Sequence, residues 1–429
     1  KSFDISSAPL IRSCVLKLNS DEHVLLFAMH HIISDGWSMG IFISELTKLY
    51  ETFSKGESSP LPELSIHYSD FALWQRKNVD LQSQLSYWKK GLADLPIIEL
   101  QLDFARPTTQ SFRGGVERDG LSLAVTDLVK GVASKSGCSL FMVMLGGFAT
   151  LLSRYTNQKD IVIGSPIANR NYKEIEPLIG FFVNTLALRC DLSGEPNFLE
   201  LLRRIRKTCF DAYANQDVPF EKLVSELQPQ RDMSRNPLVQ VNIAFQNMPI
   251  ELVETVPGLS VNSLDFDPST VKCDIELHMA DNVDGLKYDF LYSLDLFEPS
   301  TIKRMSRHLK KLMESIVNNP EMKLNELTIF DEDEMELFLS KSREINPNHR
   351  DDICIHHMFE SCVAKNPDTT AIVIEDQKIS YEELNIRSNQ LAHYLIAEGI
   401  VAETLVGVCM KRSVEMIVAI LGILKAGGA

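Results

Sequence analysis

The stretch His23-Val-Leu-Leu-Phe-Ala-Met-His30 is almost wholly apolar and reads as a buried β-strand. Side chains alternate faces along a strand, so His30 and His31 are expected to point opposite ways. Beyond Trp37, the residues Phe42, Leu46, Leu49, Tyr50 and Phe53 recur at helical spacing and predict an amphipathic helix that Gly56 ends. Residues 57–65 are rich in Ser and Pro and read as a loop. The segment from Tyr68 to Leu92 reads as helical and aromatic, and 93–120 carries turn signals that suggest a crossing between two lobes. Ser139–Tyr155 predicts a helix too apolar on all sides to lie at a surface. Strands are predicted at Asp160–Gly164, Leu238–Phe245, Cys273–Ala280 and Leu286–Leu294, with helices at 197–214 and 299–318. The stretch 319–352 is polar and acidic and is a linker candidate. A new rhythm follows: helix 355–365, strand 371–375, helix 381–398 opened by the Ser380/Glu383 capping box, strand 405–409 and helix 413–425. The interleaving predicts an α/β or α+β sandwich class.

A chain of 429 residues is long enough for two or three compact units. Its net charge of -15 argues against a nucleic-acid or anionic-membrane surface. No apolar run reaches about 18 residues, so no spanning helix is predicted. No signal peptide is visible, and the opening at Lys1 without Met reads as a fragment. The 8 cysteines have no Cys-x-x-Cys spacing and read as reduced, mostly core thiols of a cytoplasmic protein, with no zinc site or other metal site.

Chemistry enters at His30-His31-Ile32-Ile33-Ser34-Asp35-Gly36. An imidazole follows a strand, an aspartate lies four residues on, and Gly36 stands where the chain must turn. On its own this pattern fits a strand-end histidine bonded to a turn aspartate as well as it fits acyl-transfer catalysis. The second pair, His356-His357, lacks the Asp-Gly and reads as an ordinary part of an amphipathic helix. Asn184 sits in an apolar run, where a buried amide needs partners; a place near a catalytic channel and a sheet-end amide bonded to backbone are both open. Asp217 ahead of Pro219 reads as a helix cap, with proline in the first turn. Trp37, Tyr68 and Trp74 read as core aromatics, Asp70 as a cap or loop anchor, and Arg231, Asp232 and Arg235 as a loop ion-pair cluster.

Five motifs then fall in order over about 210 residues: Met29-His-His-Ile-Ile-Ser-Asp-Gly-Trp-Ser38, His67-Tyr-Ser-Asp-Phe-Ala-Leu-Trp74, Ile179-Gly-Phe-Phe-Val-Asn-Thr-Leu-Ala-Leu-Arg189, Asn215-Gln-Asp-Val-Pro-Phe-Glu221 and Arg231-Asp-Met-Ser-Arg-Asn-Pro-Leu238. Together they resemble a condensation domain of a non-ribosomal peptide synthetase. From 353 onward the chain is similar to the start of an adenylation (AMP-binding) domain, through Ile379-Ser-Tyr-Glu-Glu-Leu384 and Leu424-Lys-Ala-Gly-Gly-Ala429.

The resemblance implies two lobes, each like chloramphenicol acetyltransferase, meeting in a V, with the first lobe incomplete. It divides the chain into 1–100 (the C-terminal part of the N-lobe), 101–330 (the C-lobe), 331–352 (a linker) and 353–429 (an adenylation fragment too truncated to be active). It implies amide bond formation between donor and acceptor thioesters on carrier proteins that bring their own phosphopantetheine arms. The chain itself would bind no cofactor, and ATP and Mg belong to the complete adenylation domain in cis. His31, Asp35 and Gly36 are the implied catalytic residues, supported by His30, Trp37 and Asn184.

Other readings are a non-catalytic carrier-docking scaffold and an epimerisation or acyltransferase relative; a heterocyclisation domain would replace His30 by Asp. An α-amine has a pKa of about 7.7–8.0, so freeing it at pH 7 costs only about 1 kcal/mol. His31 is therefore expected to take a proton late and to align the amine, more than to create a nucleophile. A backbone N–H near Gly36 is a candidate oxyanion donor. In the family Asp35 pairs with an arginine, which by resemblance lies upstream of Lys1. Asp35 is thus expected to be unpaired here, and 32–38 poorly ordered.

Overall fold

Apolar residues all round a helix have only one place to go, and α5 (Leu140–Thr156) takes it: every residue from Met142 to Ser153 is buried. A computed structural model of the chain describes residues 3–78, 81–227, 232–246, 259–262, 264, 269–343, 354–374 and 377–429. The chain divides into two units, Lys1–Glu332 and Asp333–Ala429.

The first unit opens with a hairpin, β1 (Ile11–Lys17) antiparallel to β2 (His23–Met29), which forms a two-stranded sheet of its own. The helices α1 (Gly36–Ser54), α2 (Tyr68–Asn78) and α3 (Leu81–Gly91) follow. The larger part of the unit is a six-stranded mixed sheet. Its members are β3 (Gly114–Gly120), β4 (Asp160–Ile167), β5 (Asn184–Asp191), β6 (Val241–Phe245), β7 (Ile275–Asn282) and β8 (Gly285–Ser293), in the order β3-β8-β7-β6-β4-β5. β4–β6 and β6–β7 pair parallel and the other neighbours antiparallel. Helices α4 (Leu123–Ser136), α5, α6 (Phe198–Ala214) and α8 (Pro299–Asn318) pack on it, and α7 (Phe220–Leu227) lies against β5. Phe148, Phe198, Phe290 and Phe297 are fully buried between these layers, each contributing about 1.5–3 kcal/mol by leaving water.

The second unit holds α9 (Glu332–Arg343), α10 (Ile355–Lys365), β9 (Thr370–Ile374) paired with β10 (Gln377–Ser380), α11 (Tyr381–Ala397) and α12 (Val414–Lys425). Its core joins Ile379, Leu384, Val414 and Leu421.

The mixed α/β class is as the pattern predicted. β2 is not buried: Leu25 and Leu26 stay 47% and 48% exposed, because only β1 flanks the strand among the described residues. Of the α1 stripe, Tyr50 and Phe53 are exposed, while Gly56 does end the helix at φ +77. The strand predicted from Leu238 begins only at Val241, since Leu238 turns to φ +63. Residues 405–409 form no strand; Val406 N–H and the Thr404 carbonyl bond the last residue, Ala429, instead. Among the cysteines only Cys190, Cys209 and Cys273 are buried, and none is in a disulfide. Part of the predicted linker is helical, as α9, and 344–353 lie outside the described residues. Among the described residues no single helix is long and apolar enough to cross a membrane; α4 and α5 would pass that test only as a pair bent by 104°.

Candidate functional site

The strand β2 ends at Met29, one residue before the histidines. A 3-10 turn, His31–Ile33, then leads into α1. The pair is therefore separated by a turn and not by strand alternation. His30 caps that turn, its Nδ1 accepting from Ile32 N–H at 3.1 Å, and its ring meets Phe3 edge-on. His31 is exposed, with its ring edge-on to Phe181 at 5.2 Å. His31 Nδ1 lies 2.6 Å from the Ser34 carbonyl. A carbonyl only accepts, so Nδ1 carries the proton and, in the neutral ring, Nε2 keeps its lone pair.

Asp35 caps α1 and is buried. Its Oδ1 accepts from Ser38 N–H at 2.8 Å and lies 2.7 Å from the Ser38 hydroxyl. Its Oδ2 accepts from Phe182 N–H at 2.9 Å and Val183 N–H at 3.3 Å. Arg170 completes the cluster, donating to Oδ1 at 3.3 Å and to Ser38 Oγ at 3.0 Å. The expectation of an unpaired Asp35 is thus corrected: a partner arginine lies within this chain, 135 residues downstream. Segment 32–38, expected to be poorly ordered, takes the form of a turn and a capped helix start. Burial works against the Asp35 carboxylate, yet the Ser38 and Phe182 hydrogen bonds and the Arg170 charge together hold its pKa below the usual carboxylate value. Asp35 makes no hydrogen bond to His31 among the described residues.

Arg170 is fixed in turn. It donates to the carbonyls of Ile175 at 2.6 Å and Leu178 at 2.7 Å, and its guanidinium lies 4.1 Å from the Phe182 ring centre. Burial lowers the pKa of Arg170 and Asp35 opposes that; the group remains a cation. Ser38 Oγ, 2.8 Å from the Gly180 carbonyl, also accepts from Gly180 N–H at 3.1 Å. Gly180 is required there, because a Cβ would collide with the Tyr68 ring. Tyr68 donates to the Phe181 carbonyl at 2.8 Å, and Phe71 packs on Phe182. The first three motifs therefore meet in one place. Arg170 is the residue that the motif reading missed; a lone arginine between motifs carries no local signal.

Gly36 and Trp37 are the first two residues of α1, and their N–H groups meet no protein acceptor among the described residues. Trp37 is 37% exposed, not core, and its indole donates to the Glu176 carbonyl at 3.1 Å. Asp70 anchors the loop before α2, accepting from His67 N–H.

Asn184 is buried and fully engaged. Its amide donates to the carbonyls of Gln216 and Val218, both at 2.8 Å, and its carbonyl accepts from Phe220 N–H at 3.0 Å. Asn184 therefore caps α7 from another strand. Asp217, predicted to do so, pairs with Gln84 at 2.8 Å instead. Trp88 donates to the Asn215 carbonyl at 2.7 Å, so the fourth motif is clasped to α3. Asp232 and Arg235 form an ion pair at 3.5 Å, while Arg231 lies outside the described residues.

Residues 1–339 match the model of the condensation domain family, and residues 359–429 match that of AMP-binding enzymes. The chain is 44% identical, over 100% of its length, to a linear gramicidin synthase protein of Brevibacillus parabrevis, of which it spans 8%. It is similar to a solved X-domain from teicoplanin biosynthesis (26% identity, 77% of each chain, TM-score 0.72). It is also similar to a four-domain nonribosomal peptide synthetase bound to AMP and glycine (24% identity, 100% of this chain and 33% of that one, TM-score 0.67).

Proposed function

Since the chain belongs to the condensation domain family of non-ribosomal peptide synthetases, we propose that His31 serves amide bond formation between two carrier-bound thioesters. An acceptor aminoacyl amine attacks the donor acyl or peptidyl carbonyl. A C–N bond forms, the C–S bond of the donor breaks, and the donor phosphopantetheine leaves as a thiol. The nitrogen must lose a proton along the way, and His31 Nε2 takes it and delivers it to the departing sulfur.

The observation that carries this reading is the 2.6 Å bond from His31 Nδ1 to the Ser34 carbonyl, which leaves Nε2 as the free lone pair. Asp35 is a positioning residue: it holds the start of α1 and so the turn that carries His31. The N–H groups of Gly36 and Trp37, at the positive end of α1, are the donors for a developing oxyanion. His30 and Asn184 hold structure around them. The donor and acceptor carrier domains bring the phosphopantetheine arms. Residues 1–100, 101–330, 331–352 and 353–429 serve as N-lobe part, C-lobe, linker and adenylation segment.

The test is transfer between two loaded carrier proteins, followed by mass spectrometry. His31→Ala is expected to slow transfer by roughly 10²–10⁴-fold with carrier binding retained. Transfer at the wild-type rate would leave the chain a docking scaffold.

A further inference from the structure

Cysteines without paired spacing predict no metal ligands in this chain. In the second unit, however, the Cys354 thiol and the imidazoles of His356 and His357 come together, with one ligand atom from each lying within 4.8 Å of the others. We propose that these three side chains bind one borderline transition-metal ion, zinc above all.

Tetrahedral zinc, with Zn–S near 2.3 Å and Zn–N near 2.0 Å, needs ligand atoms roughly 3.3–3.6 Å apart. Contraction by about 1 Å is within reach of side-chain rotation at this exposed helix start. Nothing else among the described residues claims the ligands. Cys354 is the N-cap residue of α10, yet its side chain makes no capping hydrogen bond. Among the described residues neither imidazole accepts or donates a hydrogen bond, and the two rings, 4.3 Å apart at 56°, are not stacked face to face.

Charge is managed locally. Lys425 of α12, the nearby cation, is engaged by Glu360 at 3.3 Å and by Asn389 at 2.6 Å. One thiolate and two imidazoles suit zinc, cobalt or nickel and disfavour magnesium or calcium. Zinc takes a cysteine as the thiolate, so metal uptake releases a proton. The ion would tie the cap residue to the first turn of α10 and keep a fourth position for water.

Cobalt(II) chloride, added to the 429-residue chain without thiol reductant, reads this directly. A thiolate-to-cobalt charge-transfer band in the near ultraviolet, saturating at one equivalent and lost on adding zinc, is expected. Cys354→Ser should abolish the band and weaken zinc binding by roughly tenfold or more. His357→Gln should weaken zinc while leaving circular dichroism unchanged. Cys362→Ser, at the other exposed thiol of α10, should change neither. Absence of the band, its persistence in Cys354→Ser, or its loss in Cys362→Ser overturns the proposal.

Discussion

His30–His31 and His356–His357 are the same dipeptide, each set beside a helix start, and the two live in different circumstances. Behind the first pair, Asp35 finds Arg170, Ser38 and the backbone of Phe182 and Val183, most of them brought from far along the chain. The turn that carries His31 is thereby locked, and one ring nitrogen is committed to the Ser34 carbonyl. Behind the second pair no such aspartate stands, and both rings are uncommitted among the described residues. The dipeptide itself therefore says little. A histidine becomes a base with a fixed tautomer when the neighbouring turn is over-determined by tertiary contacts, and it remains an adaptable ligand when it is not.

The comparison breaks most visibly at Asp35. Arg170 and Asp35 are 1% and 3% exposed at their side chains, so Asp35→Ala leaves a buried guanidinium without its counter-charge. Removing one member of such a pair costs about 3–5 kcal/mol, and the urea midpoint should fall accordingly. Transfer activity should fall with it, since the turn bearing His31 loses its anchor. A loss under about 1 kcal/mol would mean that the first pair is held no more firmly than the second.

The charge has its own signature in pH. Asp35→Asn keeps one acceptor oxygen, for either the Ser38 or the Phe182 N–H group, and removes the attraction to Arg170. The folded carboxylate has a lowered pKa, so its contribution is fully present above the unfolded value of about 3.9 and is lost as pH falls through the folded one. Wild type should therefore exceed Asp35→Asn in stability at about pH 6–7, and the gap should narrow as pH falls below about 4. A gap that is unchanged at about pH 3 removes Asp35 ionisation from the account.

Asn184 offers a smaller break in the same network of motifs. Its side chain satisfies two carbonyls and one N–H at the start of α7. Asn184→Ala leaves buried groups unpaired at about 1–3 kcal/mol. Faster amide exchange at Phe220 would locate the effect at the cap. Unchanged exchange there would show that α7 is capped by something else.

These contacts mark where sequence reading stops. The apolar run of α5, the Gly56 stop and the order of the motifs are local patterns and were legible. The strand β3, Gly114-Gly-Val-Glu-Arg-Asp-Gly120, has no apolar alternation and forms because β8 pairs with it along its whole length. Asp217 looked like a cap because its neighbours are right for one, but a long-range amide reached the helix first. Likewise the candidate base was legible from spacing, while Arg170 was not. Pairing across 135 residues leaves no trace in the local pattern. The cysteine beside the second pair was visible in the sequence. What the spacing did not convey is that a helix start gathers three neighbouring side chains onto one another.

The smallest expected effect is at that second pair. His357 is exposed and His356 only partly covered, and neither ring holds a hydrogen bond among the described residues. With no metal added, His356→Gln combined with His357→Gln should move stability by no more than about 0.5 kcal/mol, the usual range for surface changes. The same double change made with zinc present should remove whatever stabilisation zinc gives the wild type, because an ion that binds only the folded cap adds its binding free energy to stability. A large loss in the metal-free protein would place these rings in the packing of the second unit, and the contrast between a locked pair and a free one would disappear.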